Sequence, residues 1–353
     1  MKYPFIALLP IALLPFVPID SVPAGSGSAS GDVPQAEIGN GVLHAKLYLP
    51  DAHAGFYRGT RFDWSGVISA LTYKGHNYYG PWFSRVDPQV HDYQDKGTEI
   101  VASTCSGTMG PVNEFTTNHS ALGFDEAKVG GTFIKIGVGV LRKDSAQYNY
   151  VQQYEIVDSG KWSVRQQADA VEFTHELSDP TDGYAYVYRK TVRLVPGKPE
   201  MVLEHSLKNT GRRSIQSWVY NHNFLVLDHQ PIGPDFVLTF PFDLHSPEPP
   251  DKQLAELRGK QIVYSKLLPV NQSVDAPIAG FSGSPSDNEI RIENHRVGAG
   301  MLIRGNRPLV HINFWAMRAV MAVEPFVAMD IEPGKEFTWQ DSYQYYTLES
   351  KAK

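Results

Sequence analysis

Apolar and polar residues alternate with a period of two along most of the chain, as expected for β-strands with one buried face. In residues 184–194, one face carries Tyr184, Tyr186, Tyr188, Val192 and Leu194 and is interrupted at Lys190. Residues 201–207 alternate in the same way, and Pro196-Gly197 supplies a turn between the two runs. These two runs are therefore predicted to form a β-hairpin.

The same pattern predicts further strands, separated by short segments rich in Gly, Pro, Asp and Asn. They are residues 42–49, 67–73, 132–141, 148–157, 171–177, 215–227, 301–304, 310–315 and 337–348. Helical periodicity is nearly absent, and residues 252–258 could form two helical turns at most. With no internal repeat and no linker after Gly31, the sequence predicts an all-β fold, a single large antiparallel β-sandwich.

Composition and charge are consistent with a folded domain and argue against one class of partner. The chain has 353 residues, of which 42% are hydrophobic and 12% aromatic, enough for a substantial core. All-β domains of this size occur as one unit. The formal net charge of -6 argues against nucleic acid as a ligand, because a phosphate backbone attracts a cationic surface.

The N-terminus resembles an export signal. Lys2 precedes an almost wholly apolar stretch, residues 3–17, and Val22-Pro23-Ala24 places small residues at the usual cleavage offsets. The apolar stretch is too short to span a bilayer comfortably, so no membrane span is expected after cleavage, and an uncleaved anchor is the alternative. The expected organisation is a signal peptide in residues 1–24, a flexible linker in residues 25–35 and the folded domain in residues 36–353.

Cys105 is the only cysteine, so no intramolecular disulfide is possible. A core of this size does not need one, and a periplasmic or secreted bacterial protein fits both this observation and the N-terminal signal. Cys105 is predicted to be a small buried residue, with a nucleophilic role as the alternative.

Residues 220–236 form a dense polar cluster within an apolar frame. If residues 215–227 are a strand, four side chains share one face: Trp218, Tyr220, His222 and Phe224. Asn221 and Asn223 would lie on the opposite face. A histidine between aromatic rings is typical of a surface that stacks on a sugar, and the alternative is a core histidine bonded to the backbone. The roles of Asp228, His229 and Asp235 stay open.

Two motifs carry a resemblance to a known family. Asn221-His222-Asn223-Phe224-Leu225 resembles the Asn-His-x-(Tyr/Phe)-Phe-(Asn)-Leu region of the galactose mutarotase-like superfamily, which includes the aldose 1-epimerases. Ala322-Val323-Glu324-Pro325 resembles the element that carries the catalytic glutamate of that family. Residues 331–337 are similar to the proline-glycine turn before its final strand. The resemblance extends from about Gly39 to the C-terminus and implies the same sandwich fold.

The resemblance implies an acid and a base that interconvert sugar anomers. His222 would protonate the ring oxygen of the sugar and Glu324 would remove the proton of the anomeric hydroxyl. The expected ligand is a monosaccharide or the sugar end of a glycan, and neither a metal nor another cofactor is expected. Glu324 is the only charged residue in the apolar run 319–328, and Arg318 is the alternative, structural partner for it.

The chain departs from the family in an early loop, where aldose epimerases usually have a further histidine that contacts the sugar. The corresponding residues 109–115 contain no histidine. Asn113 or Glu114 is expected to take its place, or His119 from the same loop. A carboxylate at Glu114 could also change which group acts as the base.

Several other residues are candidates for sugar binding. Arg58 and Arg61 have opposite strand parity, so at most one of them would point into a cleft. Arg58 is the one assigned to it, and a surface ion pair with Asp63 is the alternative. The remaining candidates flank the two motifs: Tyr220, Asn221, His229, Trp315 and Arg318. No zinc motif with closely spaced histidines is present, so no metal site is predicted.

Two other functions fit the same residues. A non-catalytic carbohydrate-binding protein would keep the aromatic cleft without an acid–base pair. A polysaccharide lyase must neutralise a uronate carboxylate and remove the adjacent proton, which Arg58 or Arg61 could do together with Tyr220, His222 or His229.

Overall fold

The structure is a computed structural model in which residues 33–117, 119–179 and 181–349 are described. The predicted signal peptide and the linker as far as residue 32 lie outside these residues, and both stay predictions. The first strand of the described residues begins at Gln35, which was predicted to belong to the linker. In the described part of the chain, no helix is long and apolar enough to cross a membrane.

Twenty-five strands in chain order account for the regular structure, and no α-helix occurs within the described ranges. The first twelve are β1 Gln35–Gly39, β2 His44–Tyr48, β3 Val67–Tyr73, β4 His76–Asn77, β5 Arg85–Val86, β6 Tyr93–Asp95, β7 Ile100–Ala102, β8 Gly110–Thr116, β9 Thr132–Lys135, β10 Gly139–Arg142, β11 Ile156–Asp158 and β12 Lys161–Gln166. The others are β13 Ala170–Asp179, β14 Tyr184–Leu194, β15 Glu200–Asn209, β16 Ile215–Phe224, β17 Phe236–Thr239, β18 Ala255–Arg258, β19 Gln261–Tyr264, β20 Ser273–Pro277, β21 Glu289–Asn294, β22 Ala299–Gly305, β23 His311–Met317, β24 Val320–Ile331 and β25 Glu336–Thr347. Short 3₁₀ turns occur at Leu227–His229 and Pro285–Asp287.

Two large sheets form the framework. The ten-stranded sheet has the order β12-β13-β14-β15-β25-β22-β21-β17-β19-β18, and the five-stranded sheet has the order β20-β23-β24-β16-β8. Every strand pair in these two sheets is antiparallel. Their apolar faces share one hydrophobic cluster, which contains Leu203, Ile303 and Tyr343 from the ten-stranded sheet and Phe314 and Val323 from the five-stranded sheet. The predicted all-β antiparallel sandwich is confirmed.

Three smaller sheets complete the molecule. β1 to β4 form one of them in sequential order, and β9, β10 and β11 form another. The third contains the only parallel pair of the described strands, β5 with β7.

The predicted hairpin and several strands are confirmed. β14 has the predicted bounds and pairs with β15, and β3 also matches. The predicted strand 132–141 is two strands, β9 and β10, because the chain reverses at Gly137, whose φ of 78° is readily adopted by glycine. Residues 252–258 form no helix, since β18 pairs there with β19.

The predicted strand 148–157 is wrong except at its end, where β11 begins at Ile156. Its alternating aromatic residues instead fill a hydrophobic cluster from a loop. The rings of Tyr148 and Tyr154 lie parallel with centroids 5.8 Å apart, and both pack edge-on against Phe124 and Phe133. Aromatic burial therefore mimics strand periodicity here without any sheet partner.

Candidate active site

His222 on β16 and Glu324 on β24 are directly opposed on neighbouring antiparallel strands. The two strands pair from Ile215↔Ile331 to Tyr220↔Phe326, and they pair again at Leu225↔Met321 with an unchanged register. That register places His222 opposite Glu324. The two side chains meet, with His222 Nε2 2.9 Å from Glu324 Oε1.

The backbone ladder between the two strands is interrupted where this pair lies. Pro325 is opposite Asn221 in the same register, and proline has no N–H to donate to a ladder. Both His222 and Glu324 are nevertheless buried, at 4% and 5% exposure. An imidazole and a carboxylate in this setting are each other's principal polar partners, which is how burial of two such groups is tolerated.

The pair lies in a pocket of about 720 Å³ on the outer face of the five-stranded sheet. This volume is within the range of about 300–1,000 Å³ that is typical of small-molecule sites. Aromatic rings form much of the lining: Trp82, Tyr93, Tyr148, Tyr150, Trp218, Tyr220, Phe224, Trp315 and Phe326. The polar lining is Arg61, Asp92, Ser106, Glu114, Thr116, His119, His222, Asp275, His311, Asn313 and Glu324.

Aromatic rings fix the imidazole of His222. It stacks on Phe224 with centroids 3.8 Å apart and contacts Phe62 edge-on at 5.4 Å. Trp315 lies 5.8 Å away at an angle of 60°. Nδ1 of His222 is buried without a hydrogen-bond partner among the described residues, so Nε2 is the nitrogen that can exchange a proton with Glu324 or with a bound molecule.

Two polar side chains from neighbouring strands surround Glu324. Asn313 on β23 is directly opposite Glu324, and its Nδ2 donates to Glu324 Oε2 at 3.4 Å. Asp275 on β20 also lines the pocket. Burial raises the pKa of Asp275, and the charge of Glu324 acts in the same direction, while a hydrogen bond from Asn313 opposes the shift. Asn313 thus links two carboxyl groups of the pocket.

Glu114 on β8 is the centre of a buried charge cluster. Lys135 Nζ lies 2.9 Å from Glu114 Oε1, and Arg61 Nε lies 2.8 Å from Glu114 Oε2. The hydroxyl of Tyr220 donates to Glu114 Oε2 as well. The guanidinium of Arg61 is held between Phe62 and Tyr150, with its Cζ 4.4 Å and 4.5 Å from the two ring centroids. These contacts place the remaining N–H groups of Arg61 at the pocket.

The cluster makes Glu114 a poor acid and a weak base. Burial alone would raise the pKa of Glu114, but the charges of Lys135 and Arg61, together with the hydrogen bonds from Arg61 and Tyr220, outweigh it and hold the pKa at about 2. A carboxylate with that pKa holds almost no proton near neutral pH and has little affinity for one. Glu114 therefore orients Arg61 and Tyr220, and Glu324 is the better placed base.

Comparison with solved structures identifies the fold. The Slr1438 protein of Synechocystis sp. PCC 6803 aligns with a TM-score of 0.53 and 12% identity over 92% of this chain and 100% of its own. A proposed aldose 1-epimerase of Escherichia coli K12 aligns with a TM-score of 0.53 and 11% identity, over 90% of this chain and 100% of its own. A galactose mutarotase-like protein of Clostridium acetobutylicum aligns with a TM-score of 0.52 and 10% identity, over 89% of this chain and 95% of its own. The chain has the galactose mutarotase-like fold. No protein-family model and no curated protein sequence matches it.

Within the galactose mutarotase-like fold, half of the candidate residues come together at the pocket. They are Glu114, Tyr220, His222, Trp315 and Glu324. His119, which was an alternative to Asn113 and Glu114, lines the pocket too, although it is exposed. The early segment 109–115 is largely strand β8 rather than a loop, and its pairing with β16 puts Glu114 beside Tyr220.

Asn113 and Asn221 do not face the pocket, so their assignment to substrate binding is corrected. The two residues are opposite each other on β8 and β16, one position out of phase with Glu114 and Tyr220. Their side chains consequently point between the two large sheets, where Asn221 Nδ2 donates to Asp341 Oδ2 at 2.8 Å. Both asparagines are buried there.

Arg58, His229 and Arg318 also lie outside the pocket lining. Arg58 is exposed and donates to the carbonyl oxygen of His53 at 2.8 Å. His229 is exposed at the end of the 3₁₀ turn after β16. Arg318 is exposed in the turn between β23 and β24, so the alternative partner of Glu324 is not Arg318 but His222.

The polar residues after His222 have structural partners. Asp228 Oδ2 lies 2.6 Å from Nδ1 of His76, and Asp228 Oδ1 accepts from the backbone N–H of Asn77 at 2.8 Å. These two contacts attach the 3₁₀ turn to β4. Asp235 lies 3.8 Å from Arg296. Cys105 is buried and its thiol contacts Thr60 and Gln153, and burial raises its pKa, so the thiolate that a nucleophile requires is disfavoured.

Several polar or charged groups of the site were not identified from the sequence, among them the following four. Arg61 was considered but not chosen, and Lys135, Asp275 and Asn313 were not considered. A charged residue within the apolar run 133–141 was a usable signal for Lys135. In the described part of the chain no group of three His, Cys, Asp or Glu side chains could hold a metal ion.

Proposed function

We propose that the protein is an aldose 1-epimerase-like isomerase that interconverts the anomers of a neutral sugar. The observation that carries the proposal is the 2.9 Å contact of His222 Nε2 with Glu324 Oε1 in an aromatic pocket. One proton donor and one proton acceptor, held side by side, are what ring opening of a hemiacetal requires. The similarity to the proposed aldose 1-epimerase of Escherichia coli supports the same reaction class.

The reaction balances with these two groups alone. Protonated His222 gives its Nε2 proton to the ring oxygen while Glu324 takes the proton of the anomeric hydroxyl. The bond between the anomeric carbon and the ring oxygen breaks, its electron pair stays on the ring oxygen, and an open-chain aldehyde forms. Rotation of the aldehyde exposes its other face. Ring closure then reverses both proton transfers, so His222 and Glu324 end in their starting states.

The surrounding residues would bind and orient the sugar. Arg61 keeps N–H groups that neither Glu114 nor Tyr220 occupies, and these can donate to sugar hydroxyls. Asn313 fixes the orientation of Glu324. Trp315 provides an apolar face on which a pyranose ring can stack. Holding the reacting atoms in one geometry accounts for much of the rate enhancement in reactions of this kind.

The charge of the pocket favours neutral sugars. Among the described residues that line it, four carry carboxyl groups, Asp92, Glu114, Asp275 and Glu324, whereas Arg61 is the only arginine or lysine. Arg61 is already paired with Glu114. A uronate or a sugar phosphate would meet this excess of negative charge, so the arrangement does not favour a polysaccharide lyase.

Polarimetry on freshly dissolved single anomers tests the proposal. With neutral aldohexoses and aldopentoses, the protein is expected to accelerate the approach to anomeric equilibrium at catalytic concentrations. Acceleration with no aldose would overturn the proposal. Saturable sugar binding without acceleration would identify the non-catalytic carbohydrate-binding alternative, and unsaturated, ultraviolet-absorbing products from acidic polysaccharides would identify a lyase.

A further inference from the structure

A second depression adjoins the pocket on the same sheet. It has a volume of about 610 Å³ and is formed largely by residues of β16, β24 and the segment after β8. Trp218 lines both the pocket and this depression, and Thr116 of the pocket is followed in the chain by Thr117 of the depression. The two cavities therefore meet at Trp218. We call the second one the groove.

The strand register places the part of the groove formed by Trp218, Gln216 and Asp330 on the same face of the sheet as the pocket, whereas Ser217 and Met329 line its other wall. On β16 the residues that face the pocket, His222 and Tyr220, are followed at the same parity by Trp218 and then Gln216 in the groove. On β24 the partner of Gln216 is Asp330, at the same parity as Glu324. From His222 to Gln216 the surface extends about 20 Å, at about 3.3 Å per residue. This length exceeds what one monosaccharide would cover.

Trp218 projects between small neighbours. In the strand register Thr116 is opposite it on β8, and Ala328 is opposite it on β24. The indole is half-buried and contacts Phe326 edge-on at 6.3 Å. An indole flanked by short side chains, on an exposed sheet surface, provides an apolar platform of the kind on which a sugar ring stacks.

The groove beyond Trp218 is polar and acidic. Gln216 is exposed and donates to Asp330 Oδ2 at 3.2 Å, which leaves its amide oxygen available to a ligand. Asp125 and Glu126 also line the groove, and its one arginine, Arg213, lies 3.6 Å from Glu126. Amide and carboxylate groups beside an aromatic platform suit sugar hydroxyls, and the excess of negative charge disfavours anionic glycans.

We infer that the substrate is the reducing end of a neutral oligosaccharide rather than a free monosaccharide. This inference rests on the proposed function, because only the reducing-end unit carries a free anomeric hydroxyl that His222 and Glu324 could act on. That unit occupies the pocket. The next unit lies over Trp218, and a further unit lies in the groove beside Gln216 and Asp330.

A bulky substitution in the groove tests the inference. Gln216→Trp would fill the groove about 20 Å from the reacting atoms. Gln344→Trp is the matched control, because Gln344 is exposed on β25 in the other large sheet. Anomerisation of glucose and maltotriose, and of galactose and a galactose trisaccharide, would be followed with each protein, because only a third unit lies beside Gln216. The quantity compared is kcat/KM for the oligosaccharide divided by kcat/KM for the monosaccharide.

In the wild type this ratio is expected to exceed ten for at least one series. Gln216→Trp is expected to lower it at least tenfold, chiefly through KM, and Gln344→Trp is expected to leave it unchanged. A ratio near one in the wild type, or a ratio that Gln216→Trp does not change, would overturn the inference while the proposed function stands. If Gln216→Trp abolishes trisaccharide binding but no sugar is anomerised by the wild type, the result would support oligosaccharide binding in the groove and overturn the proposed function.

Discussion

Asn223 Nδ2 donates a 2.8 Å hydrogen bond to the carbonyl oxygen of Val323, across the interrupted ladder between β16 and β24. The same Nδ2 donates to the carbonyl oxygen of Asn221 at 3.2 Å. Pro325 cannot donate there, so the side chain of Asn223 satisfies carbonyl groups that a regular ladder would pair. Tyr343 of the ten-stranded sheet holds the Asn223 amide in place, with its hydroxyl 2.8 Å from Oδ1.

Asn223→Ala is expected to separate β16 from β24 beside the candidate catalytic pair. Two buried carbonyl groups and the Tyr343 hydroxyl would lose a partner, at a cost of about 1–3 kcal/mol per group. The turnover number is expected to fall much more than KM changes, because a displacement of about 1 Å can reduce a rate about 10²-fold. Urea unfolding and steady-state anomerisation kinetics measure the two effects.

Tyr343→Phe is the matched control for Asn223→Ala. It removes only the hydroxyl that orients the amide and leaves both hydrogen bonds from Asn223 Nδ2 in place. Its loss of turnover is expected to be several-fold smaller than that of Asn223→Ala. Equal turnover in wild type and a folded Asn223→Ala protein would show that the amide does not position the pair.

Substitutions of Arg61 and Arg58 are expected to have very different effects on KM. Arg61→Lys would lose the planar donor array that contacts Glu114 and Tyr220 between two aromatic rings, and KM is expected to rise about 10- to 100-fold. Arg58→Lys, three residues earlier and exposed, is expected to change KM less than twofold. Initial-rate kinetics on both variants check this difference. Similar KM values for the two variants would exclude Arg61 from sugar binding.

Asp341 is expected to make the protein less stable as the pH rises towards neutral. Burial raises its pKa from 3.8 to about 7, against the opposing effects of Asn221 and Lys190. The folded protein then binds a proton that the unfolded chain releases above its normal pKa near 4. The contribution of Asp341 to stability is therefore complete below about pH 4 and is lost as the pH rises through about 7.

Asp341→Asn tests this pH dependence, because its side-chain oxygen can still accept from Asn221. Between pH 5 and pH 8 the free energy of unfolding of the wild type is expected to fall relative to that of the variant, by on the order of a few kcal/mol. Urea unfolding across this range measures the difference. Parallel curves for the two proteins would assign the titration to another group.

The fold could be predicted from the sequence because its strands carry a local signal. β14 alternates cleanly, since one face is buried and the other is half-exposed or exposed, and β15 does so from Leu203 to Asn209. β24 was not recognised as a strand because almost all of its residues as far as Val327 are buried, on the pocket face as well as on the core face. A strand buried on both faces has no alternation to detect.

The site could be predicted only in part, because its geometry depends on long-range register. The motifs indicated His222 and Glu324 separately, but their opposition follows from the pairing of β16 with β24. Strand parity could not choose between Arg58 and Arg61, because that segment is not a strand. The partners of Glu114 and Glu324, which are Lys135 and Asn313, come from β9 and β23 and share no sequence motif with them.

Anomerisation kinetics of Glu324→Gln, His222→Gln and the double variant test the central claim most directly. If the two residues act as one acid–base unit, each single variant is expected to lose about 10²- to 10⁴-fold in turnover number. The double variant is expected to lose little more than the worse single variant, because groups that act together are strongly non-additive. A folded Glu324→Gln protein that equilibrates sugar anomers at the wild-type rate would contradict the account.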